Sequence, residues 1–224
     1  RNAMKDGLLG GLMVSATGTF EPGHPWRGNP KFQIKYDPNE ARKLMTAAGF
    51  SKDKRLKVKT QTSASGSGQM LPVPMNEFVQ QSLAECFFDV DLDVIEWNTL
   101  FTNWRKGAKD ESARGAHATN VTYAAMDPFF AMIRFLDSKM APPVSNNWGF
   151  INDPEFDKLV AAVRTAFDPA ERDKALAALH ERSVDEAAFL WVAHDVGPRA
   201  MSPKIKGFVQ PKSWFVDFST MTIN

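Results

Sequence analysis

This sequence predicts an α/β fold, and three features carry the prediction. Between Leu56 and Val94 the apolar pattern runs with period two, then with helical period, then with period two again, the signature of strand, crossover helix and strand. Two amphipathic helical stretches follow one another between Asp153 and Val184. Asp-Pro pairs at 37, 127, 153 and 168 mark helix starts, because aspartate accepts from orphan N–H groups while proline fills the first helical position, where no donor is missed.

The opening segment, Arg1 to Pro30, shows no matching strand and no clear core of its own. After Asp37 the positions Ala41, Leu44, Met45 and Ala48 give an amphipathic helix that Gly49 stops. Leu56, Val58 and Thr60 then alternate with Lys and Arg as a half-buried strand, ending in the flexible loop Ser63 to Gly68. Helical period returns from Pro74 through Phe78, Val79, Leu83 and Cys86, and Val90, Leu92 and Val94 make the next strand. Such parallel units are connected right-handedly and are usually covered by helices on both faces.

Asn98 to Lys106 reads as a further helix, and Ala116 to Tyr123 as a third strand that runs into the turn and helix at Asp127-Pro128. From Asp153 to Val184 one stripe holds Phe156, Leu159, Val160 and Val163 and the next Ala175, Leu176 and Leu179, which suits a helical hairpin. Phe189 to Val192 reads as a fully buried strand, followed by Ile205 to Val209 and the apolar run Trp214 to Ile223. These late strands arrive without intervening helices, so both chain ends are expected to belong to another lobe.

Composition removes several classes of function. With 224 residues and 43% hydrophobic content the chain can bury a core, and Lys+Arg 27 against Asp+Glu 26 leaves a formal charge of +1. That balance offers no footprint for nucleic acid. No apolar run approaches the roughly 20 residues of a membrane span, so no direct membrane insertion is expected. The opening residues show no export-signal pattern, and compartment cannot be read from them. Cys86 is alone and reads as a small buried helix residue. His24, His117, His180 and His194 show no metal-ligand spacing. Of these, His180, beside Glu181 on a helix face, reads as solvated, and His117, in Arg114-Gly115-Ala116-His117, as a candidate for an anionic group.

Several segments together resemble the C-terminal lobe of family 5 extracellular solute-binding proteins, the peptide, dipeptide and nickel receptors of ABC importers. They are Tyr36-Asp37-Pro38-Asn39-Glu40-Ala41-Arg42-Lys43-Leu44-Met45 with Ala47-Ala48-Gly49-Phe50, Phe78-Val79-Gln80-Gln81-Ser82-Leu83-Ala84-Glu85 with Val94-Ile95-Glu96-Trp97, Asn152-Asp153-Pro154-Glu155-Phe156, Asp168-Pro169-Ala170-Glu171-Arg172 and Ile205-Lys206-Gly207-Phe208. Singly each is a well-formed cap with its helix; their order and spacing carry the resemblance. It implies a periplasmic binding protein type II-like lobe, a mixed sheet flanked by helices, as a fragment of a larger two-lobed protein. Residues 1–30 would be a remnant of the first lobe, 31–195 the C-terminal α/β lobe, and 196–224 strands returning toward the first lobe.

The resemblance further implies a solute-binding component of an ABC importer, periplasmic or extracellular and membrane-anchored, that performs no chemistry and needs no cofactor. Its partners would be a small-molecule or peptide solute, the permease and the missing N-terminal lobe of the same protein. Binding residues are then expected on loops at the sheet end facing the cleft, first of all between Asn120 and Asp127. Peptide-binding relatives place an Asp four positions before the proline to catch the peptide amino terminus; here that position is Ala124. A buried ammonium without a counter-charge is costly, so a free peptide amine fits poorly.

Tyr123 is expected as a contact, against the reading as a core aromatic, and Asp127 as a substitute anion, against the reading as a helix cap. The loop Pro142 to Phe150 mixes amides and aromatics, which makes Asn147 and Trp148 candidates beside their reading as ordinary packing. Trp97, Trp104, Trp191 and Trp214 read as core, with Trp191 and His194 retained as candidates near the expected hinge. Two other classes remain open: an α/β hydrolase-like domain using Glu85, Glu96 or Asp127, and an autonomous interaction module. No nucleophile elbow, Walker loop or dinucleotide fingerprint supports an enzyme.

Overall fold

The computed structural model describes residues 1–122, 127–196, 199–211 and 215–224. A helical turn at Met4–Leu8 leads to β1 (Met13–Ser15), and an extended strap then crosses to α1 (Pro38–Ala47). Asp37 caps α1 by accepting from Glu40 N at 2.9 Å, and Gly49 takes φ +86 just beyond its end, the left-handed geometry a glycine stop supplies.

The centre is β2 (Leu56–Ser63), α2 (Pro72–Ala84) and β3 (Phe88–Ile95). β2 and β3 are parallel in unbroken register from Leu56 opposite Phe88 to Ser63 opposite Ile95. Alternation therefore sets Lys57 and Lys59 beside Asp89 and Asp91 on one face, with Lys59 Nζ 3.7 Å from Asp91 Oδ2. α3 (Trp97–Trp104) packs on β2, and β4 (Ala118–Thr119) adds a third parallel strand in the order β3, β2, β4. β4 is shorter than the predicted Ala116 to Tyr123: after Asn120 N donates to Gln61 O at 2.8 Å the pairing stops.

Asp127 Oδ1 accepts from Phe129 N at 2.9 Å and Phe130 N at 3.0 Å, which starts a wide-turned helical stretch, Phe129–Ile133, continued by α4 (Arg134–Leu136). α5 (Pro154–Thr165) and α6 (Pro169–Asp185) form the expected hairpin, each capped by its aspartate. The hairpin is tied by Arg182 on α6, 2.9 Å from Asp153 Oδ2 at the start of α5. The main core lies between the hairpin, α3 and the 129–136 stretch, with Leu136, Leu176 and Leu179 wholly buried. A smaller cluster of Met4, Leu9, Met13 and Met75 sits beside α2.

Three expectations about the chain ends need correction. The opening segment does have a partner strand: β1 pairs antiparallel with β5 (Ala193–Asp195), Met13 opposite Asp195. Met4 and Met13 are each 1% exposed, and Phe20 enters the main core. Phe189 to Val192 is not a buried strand. The chain leaves α6 through Ala187 at φ +48, and from there side chains divide: Phe189 packs on Phe135 at 6.0 Å while Leu190 is 62% exposed. β6 (Ile205–Lys206) and β7 (Thr222–Ile223) pair for two residues each, far less than the apolar runs suggested; Val209, Phe215 and Phe218 are exposed, and Trp214 lies outside the described residues. Parallel and antiparallel pairing thus both occur in this α/β chain, in separate sheets.

Candidate functional site

The carboxyl end of the parallel sheet gathers polar side chains that no core needs. β2 closes on Gln61, Thr62 and Ser63, all at or below 1% exposure, where continued apolar alternation would be expected of a buried strand. Asn76, in the second turn of α2, donates Nδ2 to Thr62 Oγ1 at 2.9 Å, to Pro72 O at 2.8 Å and to Gln69 Oε1 at 3.4 Å. Gln69 in turn donates Nε2 to Asn120 Oδ1. A relay of amides thus runs from the end of β2 to the end of β4 and orients Asn120 with its oxygen inward.

The loop between β2 and α2 is held close. Gly66, at φ +78, lies under Trp97, where an added Cβ would come 3.3 Å from Trp97 Cβ. Around this end the hydroxyls of Ser63, Ser67 and Thr119 are buried with no hydrogen-bond partner among the described residues. A buried hydroxyl normally finds a partner, since leaving one unmade costs about 1–3 kcal/mol. Gln61 closes the other side, donating to Asp93 Oδ2 at 3.2 Å and to Ala113 O at 3.2 Å, and Asp93 is paired with Arg114 at 3.2 Å.

The structure distributes the sequence-based candidates over three places. Asn120 and Asp127 flank the strand-to-helix turn; Tyr123 and Ala124 lie outside the described residues. Asp127 spends its carboxylate on the helix start, as given above. Asn147 and Trp148 pack inward: Asn147, 1% exposed, donates to Ile151 O at 2.7 Å and accepts from Ile151 N at 2.8 Å, and Trp148 joins the main core. Trp191 and His194 sit together at the β1–β5 pair, with Trp191 Nε1 donating to Thr19 Oγ1 at 3.2 Å. Burial pushes the His194 imidazole below its ordinary pKa.

Of the carboxylates weighed for hydrolysis, Glu96 and Asp127 are engaged at helix starts. Glu96 caps α3, and the N–H groups of Asn98 and Thr99, both at 2.9 Å, hold its carboxyl below the usual range. Among the described residues no group of three or more His, Cys, Asp or Glu side chains is arranged to hold a metal. Also among them, no helix is long and apolar enough to cross a membrane.

His180 corrects the reading that placed it in solvent. It is 0% exposed, with Nε2 accepting from Thr19 N at 3.0 Å and Nδ1 donating to Arg27 O at 2.7 Å. Burial is the main cause that lowers its pKa to about 4. A neighbouring Glu suggested a solvated face; what covers that face comes from over 150 residues earlier in the chain, beyond the reach of helical periodicity.

A family model described as bacterial extracellular solute-binding proteins, family 5 Middle, matches residues 1–141. The chain belongs to that family. This family 5 chain is 26% identical over 215 residues to the periplasmic oligopeptide-binding protein OppA of Haemophilus influenzae, covering 93% of this chain and 38% of that protein. Among solved structures it is similar to the dipeptide binding protein of Pseudoalteromonas sp. SM9913 in complex with Met-Leu, with a TM-score of 0.79, 18% identity and coverage of 100% of this chain and 42% of that one. It is also similar to NikA of Staphylococcus aureus in complex with Ni(L-His)2, with a TM-score of 0.74, 20% identity and coverage of 100% and 46%. The family 5 chain therefore spans less than half the length of these proteins. The two structural likenesses carry the fold through residues 142–224, past the end of the family model's match.

Proposed function

We propose that this chain forms one half of the solute cleft of an ABC-importer receptor, holding a short peptide or other small polar solute without transforming it. The observation that carries the reading is the carboxyl end of the parallel sheet. There Asn120 is oriented by an amide relay, and three buried hydroxyls lack a partner among the described residues. Open α/β sheets bind ligands outside the carboxyl ends of their strands, and groups that fix a small ligand are typically few, polar and pre-positioned.

Family membership supports the same reading, as do the ligands named for the similar structures, a dipeptide and a nickel–histidine complex. The other half of the cleft is assigned to a second lobe of the same protein, with residues 1–30 and 196–224 leading to it and residues 31–195 as the lobe itself. A membrane permease is the downstream partner and the periplasm the compartment. From the sequence alone Tyr123 is taken as a solute contact, and Ala124 supplies no anion for a peptide amine.

The test is mass spectrometry of solute that co-purifies with the two-lobed receptor, followed by calorimetry against peptide, opine, sugar and chelated-nickel panels. A small polar solute bound and released unchanged is expected. Binding of none, with turnover of any, would overturn the reading.

A further inference from the structure

We propose that residues 17–32 form an acid-released clasp on α6, with His180 as the group whose protonation opens it. The clasp is the strap between β1 and α1. One face of α6 offers it a row of acceptors: Asp173 takes Trp26 Nε1 at 2.7 Å, Glu181 takes Asn29 N at 2.6 Å, and Asp185 takes Lys31 N at 2.7 Å and Phe32 N at 2.9 Å. His180 is the wholly buried member of the row and grips the strap at two well-separated points, Thr19 N and Arg27 O.

The grip requires a neutral ring. Nδ1 must carry the proton it donates to Arg27 O, so Nε2 must be bare to accept from Thr19 N. A proton added at Nε2 sets donor against donor and breaks that bond. It also places a cation in a buried site beside other basic groups. Arg27, anchored to Thr17 Oγ1 at 3.0 Å, and His24 face the ring from the strap, and Glu181 on α6 is the opposing charge. Glu181 is already committed to Asn29 N. The strap fits closely enough that the ring has no room to turn away: an added Cβ at Gly18 would come 2.6 Å from Nε2, and the Phe20 ring lies 5.3 Å from the imidazole centre.

Opening has a defined reach. Thr19 also receives Trp191 Nε1, and Ala16 N donates to Val192 O at 3.2 Å, so the strap and the β1–β5 pair share their attachments. The helical hairpin shares only Phe20 and Trp26 of the strap in its core. It keeps the remaining core contacts, with α3 and the 129–136 stretch, and its own ion pair between Arg182 and Asp153 when the strap lifts.

Hydrogen exchange of the full chain between pH 7 and pH 4, expressed as protection relative to intrinsic rates, tests this. Residues 16–32 should lose at least about tenfold protection as the pH falls while α5 and α6 keep theirs, since local opening is separable from global unfolding. In His180→Gln, whose side chain offers one donor and one acceptor that do not titrate, the strap should stay protected. Loss of the same size in the variant would assign the opening to the carboxylates and overturn the proposal. Because the variant alters a buried site, nuclear magnetic resonance of the wild-type His180 ring gives a second reading. Its titration should coincide with strap opening, and a ring that protonates while the strap remains protected would equally overturn it.

Discussion

Gln69 and Asn120 are joined side chain to side chain, the amide of the first donating to the carbonyl oxygen of the second. This bond ties the loop after β2 to the end of β4 and determines which way Asn120 presents its amide. Gln69→Ala should therefore weaken solute binding by the two-lobed receptor several-fold through loss of orientation. Its thermal midpoint should stay nearly unchanged, because Gln69 is only half-buried. Paired calorimetry and thermal unfolding check both halves of the expectation.

Asn76 occupies the same relay from the buried side, 3% exposed. Asn76→Leu removes its donor to Thr62 Oγ1 and Pro72 O and leaves further buried polar groups unpaired. A cost of about 1–3 kcal/mol is expected, read as a lowered denaturant midpoint with the slope preserved.

Leu179 on α6 is wholly buried in the main core between the hairpin and the 129–136 stretch. Leu179→Ala should cost about 2–5 kcal/mol by lost burial and residual cavity. Trp148→Ala should be comparably damaging, at about 3–5 kcal/mol, and its main effect should fall on stability. A variant that folded normally and lost only binding would return Trp148 to the cleft.

Stability should also depend on pH through His180. Its pKa is about 4 in the folded chain and 6.5 in its ordinary state, so the unfolded chain binds the proton more readily. Stability is then full above pH 6.5 and is lost as the pH falls, the loss completing near pH 4, with a total of about 3 kcal/mol. Urea unfolding at half-unit pH steps checks this, and His180→Gln should flatten that part of the profile. Gly18→Ala, which drives a methyl into the imidazole, should destabilise the chain by about 1–3 kcal/mol at neutral pH, before any protonation.

Much of the fold was legible because its signals are local. Asp37, Asp127, Asp153 and Asp168 all cap helices where their Asp-Pro pairs placed them, since a cap is decided within three residues. The β2–α2–β3 unit was legible from the change of period, which follows from side-chain geometry alone. What could not be read depends on distant partners. Met13 to Ser15 is a strand only because Ala193 to Asp195 lies beside it, and His180 is buried only because the strap crosses it. Phe189 to Val192 misled because an apolar run does not say which of its side chains the core accepts.

The candidate site divides the same way. Asn120 is nominated by its place where the sheet hands over to the helix at Asp127-Pro128, a rule of fold topology. Asn147 and Trp148 matched the composition of a binding loop, but composition cannot distinguish an amide offered to a ligand from one spent on Ile151. Gln69, Ser63 and Ser67 escape the sequence reading although a signal is present: polar residues crowd the stretch from Gln61 to Gln69, of which Ser63 to Gly68 reads only as a flexible loop. Asn76, beyond that run, carries no such signal.

The central claim is that the carboxyl end of β2 and β4 grips a solute, and Asn120→Ala measures it most directly. With the two-lobed receptor and the solute that co-purifies with it, calorimetry should show affinity falling by about tenfold or more, as loss of one good hydrogen bond to a buried ligand implies, with the thermal midpoint of the free protein unchanged. Affinity equal to that of the wild type would place the solute elsewhere and contradict the account.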